Sequence, residues 1–166
     1  MARLTRDFAI QPPEVEEKTT KNRPSDVCMQ LARIKAESVA AKHPHELVLG
    51  CDTVVFFRGS LIGKPKDRAD AVNILSTLNG KFHYVYSGVC LIKDGREEKA
   101  YAVSRVKMKK MSLREVEEYV DSGSPMDKAG AYGVQDGVVE RYDGEYENIM
   151  GLPLKLIGGM ELWKER

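Results

Sequence analysis

One carboxylate stands inside an apolar run, where a charge is costly. Residues 47–57 are apolar and β-branched apart from Asp52 and Thr53, a pattern typical of a buried strand. A carboxylate in such a strand is tolerated when it is paired, binds a metal or meets a ligand. A lysine, Lys64, follows shortly in the tight turn of residues 63–65. We therefore predict that Asp52 and Lys64 belong to one site for an anionic substrate.

Other acid and lysine residues extend this chemistry. Grouped carboxylates bind hard cations such as magnesium, which in turn bind phosphate oxygens, and lysines neutralise phosphate as point charges. Water activated by a metal or a base could then attack phosphorus. Phosphate-loop, dinucleotide-binding, HExxH and GxSxG motifs are missing from the sequence, which leaves acid-and-lysine chemistry. The candidates are Glu16 or Glu17, Lys35, Asp52, Lys64, Asp127 and Lys128.

Composition is that of a globular domain and narrows the classes of partner. The 166 residues are 42% hydrophobic and 31% charged, and we predict one domain over residues 1–166. The net charge of +1 predicts neither a nucleic-acid nor a membrane partner, although local patches could still bind one. We expect a cytoplasmic protein, because no signal peptide or membrane-length apolar run is evident and Cys28, Cys51 and Cys90 read as buried, reduced thiols.

The predicted elements give an α/β fold with a mixed, twisted sheet and flanking helices. An apolar stripe of Val27, Leu31, Ile34 and Val39 marks the first helix. Ser112 and Glu115 form a capping box that opens a later helix. The expected strands are residues 8–10, 47–57, 82–93, 97–108 and 138–142, and the expected helices are residues 24–42, 68–78, 113–121 and 154–163.

Two candidate residues have an ordinary structural interpretation. Lys35 lies beside the apolar stripe of the first helix, where a lysine usually extends its ammonium to water. His83 opens a β-hairpin, and a histidine there is more often structural than a ligand.

Several segments, in order and with similar spacing, resemble the Maf family of nucleoside triphosphate pyrophosphatases. Each is weak alone, but the set is specific and covers about residues 8 to 160. The matching segments are residues 15–17, 31–36, 50–55, 63–65, Gly80 with His83, residues 119–120, 127–135 and 148–153.

The resemblance implies a fold with two lobes around a cleft, related to that of the inosine triphosphate pyrophosphatases. It implies hydrolysis of a nucleoside triphosphate to the monophosphate and pyrophosphate, with magnesium or manganese, by a homodimer. Asp52 matches the family's proton acceptor, and Glu17 the acidic residue that could help hold the metal. The matched substrate-binding residues are Lys35, Lys64, Asp127 and Lys128.

Thr53 and Gln135 match positions that distinguish the branch acting on dTTP and UTP from the branch acting on 7-methyl-GTP. A threonine hydroxyl and a glutamine amide can both hydrogen-bond a pyrimidine edge. The family also begins with a strand and an SxSxRR turn that grips phosphates. Arg3 and Arg6 do not reproduce that turn, so we expect an N-terminally shortened form of the fold.

Two other functions remain open at this stage. The chain could be a catalytically weak or silent relative that binds nucleotide or a protein partner, for example in cell-division control. It could also be an interaction domain whose acids and lysines are solvated surface, which predicts no metal-dependent change in melting temperature with any nucleotide.

Overall fold

The structure, a computed structural model, describes residues 7–166. Arg3 and Arg6 lie outside the described residues. The helices are α1 (Pro24–Ala40), α2 (Arg68–Leu78), α3 (Leu113–Asp121), α4 (Tyr146–Ile149), α5 (Leu154–Gly159) and α6 (Glu161–Lys164). The strands are β1 (Val48–Phe57), β2 (Ser60–Ile62), β3 (Phe82–Lys93), β4 (Arg96–Met108) and β5 (Val139–Asp143). Three short 3-10 turns lie between α3 and β5.

The five strands form one sheet in the order β2-β1-β3-β4-β5. The α/β class is confirmed, but the expectation of a mixed sheet is wrong for the described residues, because all four ladders are antiparallel. The apolar run of β1 suggested a parallel strand covered on both faces. β1 is indeed covered on both faces, yet α2 returns the chain so that β3 runs in the opposite direction.

Helix α1 covers one face of the sheet through small residues. Cys28, Ala32 and Ala36 are its closest contacts, so the predicted stripe of larger residues is only partly correct. Gly50 and Gly88 lie beneath the helix and permit this approach, because a Cβ atom on either would come within 2.3 Å of α1 backbone atoms. The face of the helix that meets the sheet is therefore decided by the two glycines.

The opposite face of the sheet holds the larger core. Val55 and Val85 pack there against Leu75 of α2 and Val116 of α3. Val89 and Leu91 continue this core toward α5 and α6. The sheet thus lies between α1 on one side and the remaining helices on the other.

Several local expectations are confirmed and two are wrong. The β3–β4 hairpin turns at residues 94–95, and Ser112 caps α3 with Glu115 as predicted. Residues 8–10 form no strand, because no neighbouring strand pairs with them. The last helix is divided at Met160, whose extended backbone follows two glycines that weaken a helix.

Two further findings concern membrane-spanning helices and the three cysteines. Within residues 7–166 no helix combines the length and the apolar character needed to cross a bilayer. Cys28, Cys51 and Cys90 are free thiols, as predicted, with Cys51 partly exposed and the other two buried.

Candidate active site

A cleft of ≈ 280 Å³ collects most of the predicted site residues. Asp52 faces α1, whereas Thr53, the next residue of β1, points to the opposite face of the sheet. A cleft lined by both must pass around the edge of β1. That edge is open within the described residues, since β2 pairs only with residues 55–57. The other lining residues come from β1, β3, α1, the turn of Lys64 and the segments 127–135 and 149–151.

Asp52, Lys35 and Glu17 form a chain of charges at one end of the cleft. The Lys35 ammonium donates to Asp52 Oδ1 at 2.6 Å and lies 3.0 Å from Glu17 Oε2. The exposed fractions of the side chains are 21% for Lys35, 11% for Asp52 and 46% for Glu17. The alternative in which Lys35 extends to water is therefore wrong, because its ammonium is held between two carboxylates.

Burial sets the acid–base character of Asp52 and Lys35. Desolvation raises the pKa of Asp52, the nearby charge of Glu17 raises it further, and Lys35 and Lys64 oppose the rise. Burial alone would lower the pKa of Lys35, but its bonds to Asp52 and Glu17 outweigh burial and the pKa is raised. Lys35 thus stays charged while Asp52 becomes a stronger base than an ordinary carboxylate.

Two more cations line the cleft. Lys64 is exposed in the turn before α2, and Gly63 of that turn accepts a backbone hydrogen bond from Gly130 at 2.9 Å. Lys128 donates to Asp127 Oδ1 at 2.7 Å and to the Ser124 carbonyl at 2.6 Å. The Lys128 ammonium lowers the pKa of Asp127. These contacts place the turn of Lys64 beside the segment of Asp127 and Lys128.

Thr53 belongs to a polar network under the segment 149–151. Ser87 donates to the Asn148 carbonyl at 2.9 Å, so the 2.8 Å contact between Thr53 Oγ1 and Ser87 Oγ is donated by Thr53. The hydroxyl hydrogen of Thr53 is thereby used, and toward the cleft Thr53 can only accept. Gly151 fits closely against Thr53, since a Cβ there would lie 3.1 Å from Oγ1.

Asn148 fixes this wall of the cleft to the sheet. Its fully buried amide donates to the Val85 carbonyl at 3.2 Å and to Ser104 Oγ at 2.8 Å. Because a carbonyl can only accept, these contacts settle which end of the amide faces Val85. The position of residues 149–151 therefore depends on a buried side chain that does not itself line the cleft.

Replacing Asn148 by Ala is expected to destabilise the fold and to raise KM. The variant removes two buried hydrogen bonds, to the Val85 carbonyl and to Ser104 Oγ, and leaves Ser104 with only its 3.1 Å bond to the Glu145 carbonyl, at a cost of about 1–3 kcal/mol. Urea unfolding and the KM for nucleotide measure the two effects. Asn73→Ala, on the exposed surface of α2, is the control and should change neither. An unchanged urea midpoint in Asn148→Ala would contradict the role of this anchor.

A second network holds the segment that carries Gln135. Tyr119 of α3 donates to Asp136 Oδ2 at 2.6 Å, and its hydroxyl accepts from the Gly133 amide at 3.0 Å. Ser124 adds a third bond, to the same Asp136 oxygen, at 2.7 Å. Gln135 is exposed at the cleft, between two residues that are tied to α3.

The acidic residues fit a magnesium ion only together with a phosphate ligand. No three histidine, cysteine, aspartate or glutamate side chains among residues 7–166 cluster as a metal cage. Magnesium usually keeps several waters and uses one or two carboxylates plus substrate phosphates. Asp52 and Glu17 meet that need, because Lys35 engages only one oxygen of each carboxylate and the other oxygen can face a metal ion.

The structure brings the predicted site residues to one cleft. Glu17 does not line the cleft itself and is joined to it by its ion pair with Lys35. Lys35, Asp52, Thr53, Lys64, Asp127, Lys128 and Gln135 line the cleft. Sequence reasoning assigned no role to Asn148, Tyr119 or Tyr132, although all three lie in segments that carried the family resemblance. Tyr132 also lines the cleft and contacts the buried His83 Nε2 through its hydroxyl at 2.7 Å. Burial lowers the pKa of His83 to about 4, so it is neutral.

Fold and cleft together define an α/β protein with a site of acids and lysines suited to a phosphorylated ligand. The family model described as Maf-like protein matches residues 1–160. The chain therefore belongs to the Maf-like protein family.

Curated relatives align over most of their length. The chain is 43% identical over 155 residues to a dTTP/UTP pyrophosphatase of Dictyoglomus turgidum. This alignment covers 89% of this chain and 80% of the relative. It is 37% identical over 164 residues to a dTTP/UTP pyrophosphatase of Latilactobacillus sakei, with coverages of 96% and 91%. A dTTP/UTP pyrophosphatase of Aquifex aeolicus is 42% identical over 151 residues, with coverages of 89% and 80%.

Proposed function

We propose that the protein hydrolyses nucleoside triphosphates, with dTTP, UTP and modified pyrimidine nucleotides first among them, to the monophosphate and pyrophosphate, and so cleans the nucleotide pool. The observation that carries this proposal is the mostly buried Asp52 carboxylate, held 2.6 Å from the Lys35 ammonium in a cleft lined by further cations. The names of the relatives, all dTTP/UTP pyrophosphatases, support the substrate class.

The triphosphate would lie along the cationic side of the cleft. Lys35, Lys64 and Lys128 supply three ammonium groups at different points of its lining. A triphosphate carries several negative charges, and the charge on the departing pyrophosphate grows as the bond to the α-phosphorus breaks. Ammonium groups already in place stabilise that charge without further rearrangement. In this proposal Lys64 and Lys128 bind the leaving pyrophosphate.

Asp52 would take the proton from the attacking water. A base of raised pKa accepts a proton more readily, and burial gives Asp52 that property. Lys35 orients the carboxylate through the 2.6 Å bond to Oδ1. Magnesium, or manganese in its place, would be held by Asp52 and Glu17 with the phosphates and would supply charge neutralisation.

Thr53 would select the base. Its hydroxyl hydrogen is donated to Ser87, so Thr53 Oγ1 offers only an acceptor to the substrate. Uracil and thymine carry an N–H at N3, whereas cytosine has a bare nitrogen there. An acceptor at this place therefore favours dTTP and UTP over CTP, and the Gln135 amide, which both donates and accepts, can meet the neighbouring carbonyl.

The remaining expectations belong to the same proposal. We expect a homodimer that works in the cytoplasm, where nucleoside triphosphates are made and used, without a membrane partner. The three free thiols are compatible with a reducing compartment.

The test is pyrophosphate release from dTTP, UTP, CTP, 7-methyl-GTP and ITP, each with magnesium and with a chelator. We expect release from dTTP and UTP that requires the metal, and at least tenfold less from CTP. A rise in melting temperature on addition of nucleotide, without release of pyrophosphate, would indicate a catalytically silent nucleotide-binding protein. Neither release nor a change in melting temperature would reject the proposal.

A further inference from the structure

The sheet face under α1 is only partly covered by that helix. Helix α1 lies over Gly50 and Gly88, and the strands continue beyond its first turn. Register places Phe56, Tyr84 and Arg105 in one row across β1, β3 and β4, with Tyr86 beside Val103 in the next. Tyr84 and Val103 are exposed by 41% and 39%. Tyr86 is partly buried against Val27 and Cys28 of α1, whereas Tyr84 and Val103 are exposed beyond that helix.

Three of the aromatic rings are in contact. The ring centroids of Phe56 and Tyr86 are 6.4 Å apart with planes at 89°, and those of Tyr86 and Tyr101 are 6.3 Å apart with planes inclined by 30°. Tyr101 is 45% exposed. We call Phe56, Tyr84, Tyr86 and Tyr101 the aromatic platform. It spans three strands, which is wider than one nucleotide base needs.

Cations surround one end of the platform. Arg105 Cζ lies 3.9 Å from the centroid of the Phe82 ring, and Arg141 Cζ lies 5.3 Å from the same centroid. Arg58 and Lys81 lie 5.2 and 5.7 Å from the centroid of the Phe57 ring, which points to the opposite face of the sheet, so these two cations reach the platform only around the strand ends. Lys107, also beside Phe82, completes a group that we call the cationic rim: Arg58, Lys81, Arg105, Lys107 and Arg141.

The positive charge of the rim is largely uncompensated. Among the described residues, Lys107 pairs with Glu140 at 2.8 Å, while the other four cations have no carboxylate oxygen within 4.0 Å. Asp143 is the cross-strand neighbour of Arg105 but makes no such pair. Arg105 and Arg141 are therefore available on the platform face, and Arg58 and Lys81 at the groove, where Lys81 also donates to the Thr77 carbonyl at 2.7 Å.

A groove joins the rim to the platform. The β1–β3 ladder ends at the pair Phe56 and Tyr84, although β1 continues to Phe57 and β3 begins at Phe82. The two strand ends enclose a groove of ≈ 610 Å³, lined by the cations Arg58, Lys81 and Lys107 and by the rings of Phe56, Phe57 and Phe82. A backbone of phosphates could follow the groove while its bases lie on the platform.

We propose that this face binds single-stranded nucleic acid, with bases stacked on the aromatic platform and phosphates on the cationic rim. Unstacked bases lie readily on exposed aromatic side chains of a sheet, and a positively charged groove beside them tracks the backbone. A double helix hides its base faces and cannot use the platform. The near-neutral net charge of the chain predicts no nucleic-acid partner, but the charge that matters here is local, and the occupant that complements both features is a single strand.

The site is independent of the hydrolytic cleft. None of the platform or rim residues lines that cleft. Variants of the face should therefore leave pyrophosphate release from dTTP unchanged, and the two proposals can fail separately.

The test is fluorescence anisotropy of the full chain with labelled 12-nucleotide oligo-dT and oligo-rU and with a 12-base-pair duplex. We expect the single strands to bind at least tenfold more tightly than the duplex. The double variant Arg105→Gln/Arg141→Gln should weaken binding about tenfold or more and lower the salt slope by about 2. Tyr84→Ala should weaken binding about tenfold with little change in that slope.

One variant outside the face serves as the control, and several results would overturn the proposal. Arg114→Gln, an exposed cation of α3 paired with Glu118, should leave affinity unchanged, and circular dichroism checks that each variant folds. Equal binding by wild type and face variants would overturn the proposal. Tighter binding of the duplex would overturn it too, as would displacement of the labelled strand by dTMP with an affinity equal to that of the strand itself. Light scattering that showed Tyr84→Ala to dissociate a dimer would assign the face to a second copy of this chain and overturn it as well.

Discussion

Replacing Asp52 by Asn should lower kcat for dTTP hydrolysis by about 10²–10⁴-fold, the usual contribution of a general base. Asparagine has the same shape and its oxygen can still accept from Lys35, but an amide holds a divalent metal less well than a carboxylate, so kcat is compared at saturating magnesium. The loss of kcat under that condition reports the proton acceptor and not a weaker hold on the metal. Steady-state pyrophosphate release gives both constants, and the melting temperature checks the fold of the variant.

The pH profile separates a base from a structural carboxylate. A base must be deprotonated, so wild-type kcat should fall as the pH drops through the raised pKa of Asp52 and should level off above it. Asp52→Asn should lose this step in its profile. Asp94→Asn, at the exposed β3–β4 turn, is the matched control and should keep the wild-type kcat. A variant at Asp52 that turns over at the wild-type rate would exclude Asp52 as the base.

Replacing Gly88 by Ala should be the most destabilising single methyl addition in the sheet. The new Cβ would lie 2.3 Å from the Cys28 carbonyl carbon and 2.5 Å from the Met29 amide nitrogen. Both are backbone atoms of α1, so the helix itself must move. Overpacking costs about 1–3 kcal/mol when side chains can adjust, and here we expect at least about 3 kcal/mol. For a chain of this size, that lowers the melting temperature by roughly 6–12 °C.

Gly159→Ala is the matched control for this prediction. A Cβ at Gly159 meets nothing within 4 Å, and the residue lies in α5, where alanine is favoured over glycine. Its melting temperature should stay level or rise slightly. If Gly88→Ala melted at the wild-type temperature, the close packing of α1 on the sheet would be wrong.

The elements that sequence predicted well are those whose signals are local. The capping box of Ser112 and Glu115 needs four residues, and the β3–β4 hairpin needs alternation around one turn. The family resemblance added the site residues, since it places Lys35, Lys64 and Gln135 far apart in sequence and the fold brings them to one cleft.

The features that sequence could not predict depend on contacts between distant segments. The packing face of α1 follows from Gly50 and Gly88, and each needs the strand register to reveal which helix residue it meets. Asn148 reads as an ordinary polar residue until β3 and β4 surround its amide. The mixed sheet was inferred from a strand covered on both faces, a property that antiparallel pairing also permits.

The adjacency of Asp52 and Thr53 has a consequence for how such a protein can change its substrate. One residue lies above the sheet with Lys35, and the next lies below it with Ser87. On the proposed function, the proton acceptor and the base-selecting group are therefore encoded by neighbouring codons yet separated by the thickness of the backbone. A mutation at position 53 can alter which nucleobase is accepted while the charged chain on the other side stays intact. Selection can thus tune the choice of nucleotide and the rate of hydrolysis one at a time.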